Sequence, residues 1–239
     1  MTIRDKLVGE RSELPDGPDT QDRAPMLEAL QTYLRASPTS FEMPGHHAGR
    51  AAPHAITRLI GTKALKADCT PLKGLDDRGE RKRISHRAEK LAAELWGADS
   101  CFFSTAGSTL SNQVAVRAAA NPGETVLVSR NSHKSLIGSL ILAGVRPVFL
   151  EPRYDKRWDI DHGQSRAEVA AKLDAHPDTK AVFIVSPTYY GVTLDVSGIA
   201  QLCHGRGIPL VVDEAWGPHF AFHPTCPRLR SASGPTFLS

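Results

Sequence analysis

Ala181-Val182-Phe183-Ile184-Val185, a helical stretch over 196–206, and Ile208-Pro209-Leu210-Val211-Val212 follow one another in this chain. Two short, unbroken apolar runs joined through a helix read as parallel strands with a crossover. Strands covered on both faces lose the alternation of a half-exposed sheet. The same unit recurs upstream, where apolar runs at 125–128 and 147–150 flank a helical stretch at 134–143. A further helical stretch at 166–175 leads into Ala181, and a short run at 101–103, read as one more strand, precedes a helix over 109–120. The pattern predicts an α/β fold, a mostly parallel sheet with helices on both faces.

The remainder divides around that sheet. Residues 1–24 are polar and hold Pro15, Gly17 and Pro18, so they read as a flexible lead-in. Residues 25–97 form a helical and loop arm. Pro25 opens a helix whose apolar positions are Met26, Leu27, Leu30 and Leu34; a Pro/Gly/His loop covers 41–49; a helix over 84–96 ends at Gly97. Residues 98–224 carry the sheet. Residues 225–239 show neither strand nor helix periodicity.

Bulk properties exclude several classes. With 41% hydrophobic and 23% charged residues and a net charge of +3, nothing demands nucleic acid or an anionic membrane as partner. The run Arg78-Gly79-Glu80-Arg81-Lys82-Arg83, extended by Arg87, reads as a solvated face rather than a nucleic-acid patch. The absence of an apolar leader or a spanning-length apolar window points to a soluble cytoplasmic protein. Cys69, Cys101, Cys203 and Cys226 are widely spaced and read as reduced thiols. His219, His223 and Cys226 read as loop residues, so no metal site is expected.

Ligands of open α/β sheets lie beyond the carboxyl ends of the strands, which directs attention to four segments. Ser104-Thr105-Ala106-Gly107-Ser108-Thr109 opens a helix, and its free amides and hydroxyls suit a phosphate, although an ordinary helix cap looks the same. His133, in Arg130-Asn131-Ser132-His133-Lys134-Ser135, could be an acid/base, a flat stacking ring or a cap. Ser186-Pro187-Thr188-Tyr189-Tyr190-Gly191 offers hydroxyls on a turn. Leu210-Val211-Val212-Asp213-Glu214-Ala215-Trp216 delivers Asp213 to the end of a strand, where a buried carboxylate needs a cation. A protonated pyridine nitrogen, a metal or a salt bridge would each serve.

The order of these parts resembles fold type I pyridoxal-phosphate enzymes. The wording is closer to one branch. Phe41-Glu42-Met43-Pro44-Gly45-His46, Asp76-Asp77, the Gly-Ser-Thr turn, Asn131-Ser132-His133-Lys134-Ser135, Ser186 to Gly191 and Val212-Asp213-Glu214-Ala215 are similar to the ornithine/lysine/arginine decarboxylase family. The resemblance covers about 26–224, with His47 standing where the family usually has lysine. It implies an incomplete large domain of that fold and pyridoxal 5′-phosphate as cofactor. Gly107, Ser108 and Thr109 would hold the phosphate; His133 would stack on one ring face and Ala215 on the other; Asp213 would pair with the ring nitrogen. Ser186 or Thr188, together with Trp216, would lie near the ring's phenolic oxygen. It further implies a basic amino acid as substrate, polyamine synthesis or acid resistance as setting, and a homodimer or higher homo-oligomer with sites at the dimer interface.

The resemblance also implies a lysine that carries the cofactor as a Schiff base, in a Ser-x-His-Lys segment roughly thirty residues after the aspartate. No lysine here stands in such a segment. The expectation is a fragment without decarboxylase activity, poorly stable because the 101–103 strand lacks its sheet neighbours. A frameshift near Pro224 would explain the tail, since a shifted frame from Thr225 can be written in GC-rich codons to restore the family's wording; the DNA decides it. Alternatives are an aminotransferase-like enzyme of the same fold type and a non-catalytic fragment that binds a partner subunit. The first stacks an aromatic residue, more often than histidine, where His133 stands.

Overall fold

The computed structural model describes residues 19–36, 39–41, 43–70, 75, 83–226 and 236–238. Two compact units are present, residues 1–103 and 104–239. The first holds helices α1 (Pro25–Ala36), α2 (His54–Ile60), α3 (Thr62–Ala67) and α4 (Arg83–Trp96). Gly97 ends α4 with φ of +67°, a conformation glycine takes without steric cost. Residues 19–24 are tied down rather than loose: Arg87 pairs with Asp19 at 2.6 Å and Gln21 Nε2 donates to Leu91 O. The rest of the expected lead-in, 1–18, lies outside the described residues, as do Glu42, Asp76-Asp77 and the basic run over 78–82. The apolar stripe expected on α1 is only partly inward. Met26 and Leu27 are about half exposed, while Pro25 and Ala29 are buried.

The second unit is the sheet. Helix α5 (Gly107–Ala119) precedes β1 (Thr125–Ser129), α6 (Lys134–Ala143) and β2 (Arg146–Leu150). A small antiparallel hairpin, β3 (Tyr154–Asp155) with β4 (Ile160–Asp161), then leads to α7 (Arg166–Ala175) and β5 (Val182–Val185). After them come α8 (Val196–His204), β6 (Leu210–Asp213), a 3₁₀ turn over Pro218–Phe222 and β7 (Thr236–Leu238). The large sheet runs β2-β1-β5-β6-β7 with every pairing parallel.

Side-chain parity explains why the sheet is covered on both sides. Leu127, Val182, Ile184, Leu210 and Val212 pack with Val169, Leu173 and Ile199 of α7 and α8. Their chain neighbours Val126, Val128, Phe183 and Val211 pack with Val116, Leu136 and Leu140 of α5 and α6. The unbroken apolar runs serve two cores at once. From β1 the chain moves outward to β2, then returns to the other side of β1 as β5. Strand order therefore reverses between β1 and β5, where open sheets of this kind bind ligands.

Two expectations are corrected. Residues 101–103 form no strand; Phe102 and Phe103 are 79% and 53% exposed, and the Phe103 amide donates to the Glu89 carboxylate at 3.1 Å rather than to a neighbouring strand's carbonyl. The tail is not wholly without regular structure, because Thr236–Leu238 pair in parallel with Leu210–Val212 of β6. Three residues are too few to show a period, and an open strand edge suffices to order them. Residues 227–235 lie outside the described residues.

Candidate functional site

Helix α5 begins at Gly107, whose φ of +66° turns the chain into the helix. Its N-cap, Ala106, gives no side-chain hydrogen bond, so the first amides of the helix have no capping acceptor. Ser108 and Thr109 add two hydroxyls to this positive helix end. Uncapped amides, a favourable dipole and hydroxyls make an anion site.

Asp213 follows the parity of Val211 and so faces α5. It is 6% exposed. Its Oδ2 accepts from Asn112 Nδ2 at 3.1 Å and its Oδ1 from the Ala215 amide at 3.2 Å. Among the described residues no arginine, lysine or histidine forms an ion pair with it. A buried carboxylate with two neutral donors and no cation is an unfinished arrangement, which a cationic ligand would complete.

Asn112 is the residue the sequence pattern did not single out. It stands four residues after Ser108, on the same face of α5, and is 1% exposed. Its Nδ2 also donates to Ser135 Oγ at 3.0 Å. Ser135 Oγ lies 2.8 Å from His133 Nδ1, and the Ser135 amide donates to that same nitrogen at 3.1 Å. His133 thus caps α6, with its ring held from one side. An asparagine inside a helix is a poor helix former, and that was the available signal.

The 186–191 loop is built largely on itself. Ser186 Oγ accepts from the Leu194 amide at 3.2 Å, and Thr188 Oγ1 from the amides of Tyr190 and Val192. Both residues are buried, and each hydroxyl hydrogen has no partner specified by these bonds. The Ser186 amide donates to Asp213 O, which joins the loop to the end of β6. Tyr189 and Trp216 meet edge to face at 6.0 Å. Burial and the nearby charge of Asp213 raise the Tyr189 hydroxyl above its ordinary range. Burial alone pushes the Glu214 carboxyl up to about 7.

On the first unit, the 43–50 loop is held by His46, whose Nδ1 accepts from the Gly49 amide and whose Nε2 pairs with Asp68 at 3.1 Å. His47 sits there with φ of +49°. His223 Nδ1 bonds Thr225, and His219 packs edge to face on Phe220. Among the described residues no three His, Cys, Asp or Glu side chains gather as a metal site. The four cysteines are free.

Pyridoxal phosphate asks for an anion site, a carboxylate opposite a protonated ring nitrogen, and groups that can flank a flat ring. The uncapped start of α5, with the cation-free Asp213 at the end of β6, the His133 ring after β1 and the small Ala215 after β6, supplies that set, so the residues present fit the group. Comparison with known proteins points the same way. The family profile described as Orn/Lys/Arg decarboxylase, major domain, matches residues 24–234. An arginine decarboxylase of Halalkalibacterium halodurans is 36% identical over 214 residues, 90% of this chain and 44% of that protein. An arginine decarboxylase of Bacillus subtilis is 35% identical over 215 residues, again 90% and 44%. The solved structure of the Escherichia coli constitutive lysine decarboxylase superposes with a TM-score of 0.70 at 28% identity, covering 84% of this chain and 30% of that one. The chain spans less than half the length of these relatives.

Proposed function

The chain belongs to the Orn/Lys/Arg decarboxylase family over its major domain, and on that premise we propose that it holds pyridoxal phosphate for the decarboxylation of a basic amino acid. Arginine is the favoured substrate, because relatives at 35–36% identity are arginine decarboxylases. The observation that carries the reading is Asp213, a buried carboxylate oriented by two neutral donors and paired with no cation among the described residues. When bound, the cofactor supplies a protonated ring that takes up the electron pair left as carbon dioxide departs.

This chain's own residues have separate tasks. Asp213 keeps the ring-nitrogen proton in place. Ser108, Thr109 and the first amides of α5, with Gly107 making the turn, hold the phosphate. His133 and Ala215 flank the ring. Ser186 and Thr188 accept from loop amides, which leaves each O–H to donate toward the ring's phenolic oxygen, with Trp216 at the rim. No lysine of these 239 residues stands in a Ser-x-His-Lys segment. We therefore place the lysine that carries the cofactor outside them and infer that these residues alone bind without turnover.

Equilibrium titration with pyridoxal phosphate and with pyridoxal, which lacks the phosphate, tests this reading. Saturable binding is expected for the first, and at least about tenfold weaker binding for the second, given the charge-assisted bonds lost. Equal affinities would remove α5 from the site. No binding of either would remove the site itself.

A further inference from the structure

The bonds around Asn112 have a direction. A carboxylate accepts hydrogen bonds and does not donate them, so the Asn112 atom facing Asp213 must be the amide nitrogen. That nitrogen has two hydrogens. One goes to Asp213 Oδ2 and the other to Ser135 Oγ, which therefore acts as acceptor toward Asn112. Ser135 is left to point its own hydrogen at His133 Nδ1, 2.8 Å away. The Ser135 amide already donates to the same nitrogen. Two donors converging on Nδ1 leave it the lone pair and put the ring hydrogen on Nε2.

We propose that Asn112 is a positioning residue that passes the charge of Asp213 through Ser135 to fix the tautomer and ring orientation of His133. Its purpose rests on the cofactor reading above, since it ties the carboxylate expected at the ring nitrogen to the imidazole expected on the ring face. The relay itself exists in the unliganded chain. Asn112 is also one turn along α5 from Ser108, so the helix that starts at the phosphate turn carries the residue that sets the other two groups. A merely structural asparagine would satisfy buried acceptors without making His133 respond to Asp213.

The test uses the ¹⁵N-labelled 239-residue chain without cofactor. Long-range ¹H–¹⁵N spectra give the His133 tautomer ratio, with signals assigned by their loss in His133→Gln. The Nε2–H form is expected to dominate in the unsubstituted chain. Ser135→Ala, which removes one neutral hydrogen bond to Nδ1, is expected to lower the ratio about fivefold. Asp213→Asn no longer dictates which way the Asn112 amide faces, and is expected to move the ratio by about twofold or more. In the Asn112→Leu background that response to Asp213→Asn is expected to vanish. Should Asn112→Leu fail to fold, Asn112→Ser, with a single shorter donor, takes its place. A ratio unmoved by Asp213→Asn, or moved equally in both backgrounds, overturns the relay. Because no cofactor is present, failure to bind pyridoxal phosphate sinks the proposed function alone, and an unresponsive His133 sinks the relay alone.

Discussion

Glu214 stands beside Asp213 and is 8% exposed, and burial alone raises its carboxyl from 4.5 to about 7. The folded chain therefore holds that proton more tightly than the unfolded chain does. The stability this represents is fully present below about pH 4.5 and is lost as pH rises through about 7. The interval corresponds to at most about 3 kcal/mol. With a urea slope of about 2 kcal/mol per molar, the midpoint should fall by about 1.5 M relative to a chain lacking the group. Glu214→Gln is that chain, since the amide is uncharged at every pH. Urea unfolding of both proteins between pH 4.5 and 8, followed by tryptophan fluorescence, gives the difference directly. The two curves should diverge with rising pH, the glutamine variant gaining. Parallel curves across that window would mean that Glu214 ionises freely and that the end of β6 is wetter than its burial implies.

Other perturbations test the scaffold. Ser165 closes a capping box at the start of α7, its Oγ accepting from the Glu168 amide while Glu168 receives the Ser165 amide at 2.6 Å. Ser165→Ala should cost about 1 kcal/mol in denaturant unfolding, and Ser165→Asp should recover most of it. Gly163 has φ of +73°, and a Cβ there would come within 2.6 Å of Leu194 Cδ1. Gly163→Ala should lose about 1–3 kcal/mol, and an unchanged thermal midpoint would show that the loop yields. Phe183 is 1% exposed at the centre of the sheet. Phe183→Ala should cost about 3–5 kcal/mol, which calorimetry would read as a large fall in midpoint.

Much of the sheet was legible because β1, β5 and β6 are buried on both sides. Runs such as Val182-Phe183-Ile184-Val185 have little other use, and the helices over 134–143 and 166–175 appear with the bounds their periodicity predicts. The short helices His54–Ile60 and Thr62–Ala67 were not legible; six or seven residues carry too little period. The two-residue strands of the β3–β4 hairpin were missed for the same reason. At the site, Asp213 could be read from the strand that delivers it, because a carboxylate after an apolar run is conspicuous. Asn112 could not. Its importance lies in a contact to a residue 101 positions away, and local sequence holds no record of such a contact beyond the oddity of asparagine inside a helix. Ser186 and Thr188 were legible as hydroxyls on a turn, and their accepted bonds from loop amides became visible only in three dimensions.

The most direct measurement is the affinity of the 239-residue chain for pyridoxal phosphate before and after Asp213→Asn. The substitution keeps the shape of the side chain and removes the charge that should hold the ring nitrogen protonated. Charge-assisted pairing in a buried setting predicts a loss of at least about tenfold, with the phosphate contribution at α5 unchanged. An unchanged affinity in the asparagine variant would contradict the assignment of Asp213 as the ring-nitrogen partner, and with it the placement of the cofactor at the ends of β1, β5 and β6.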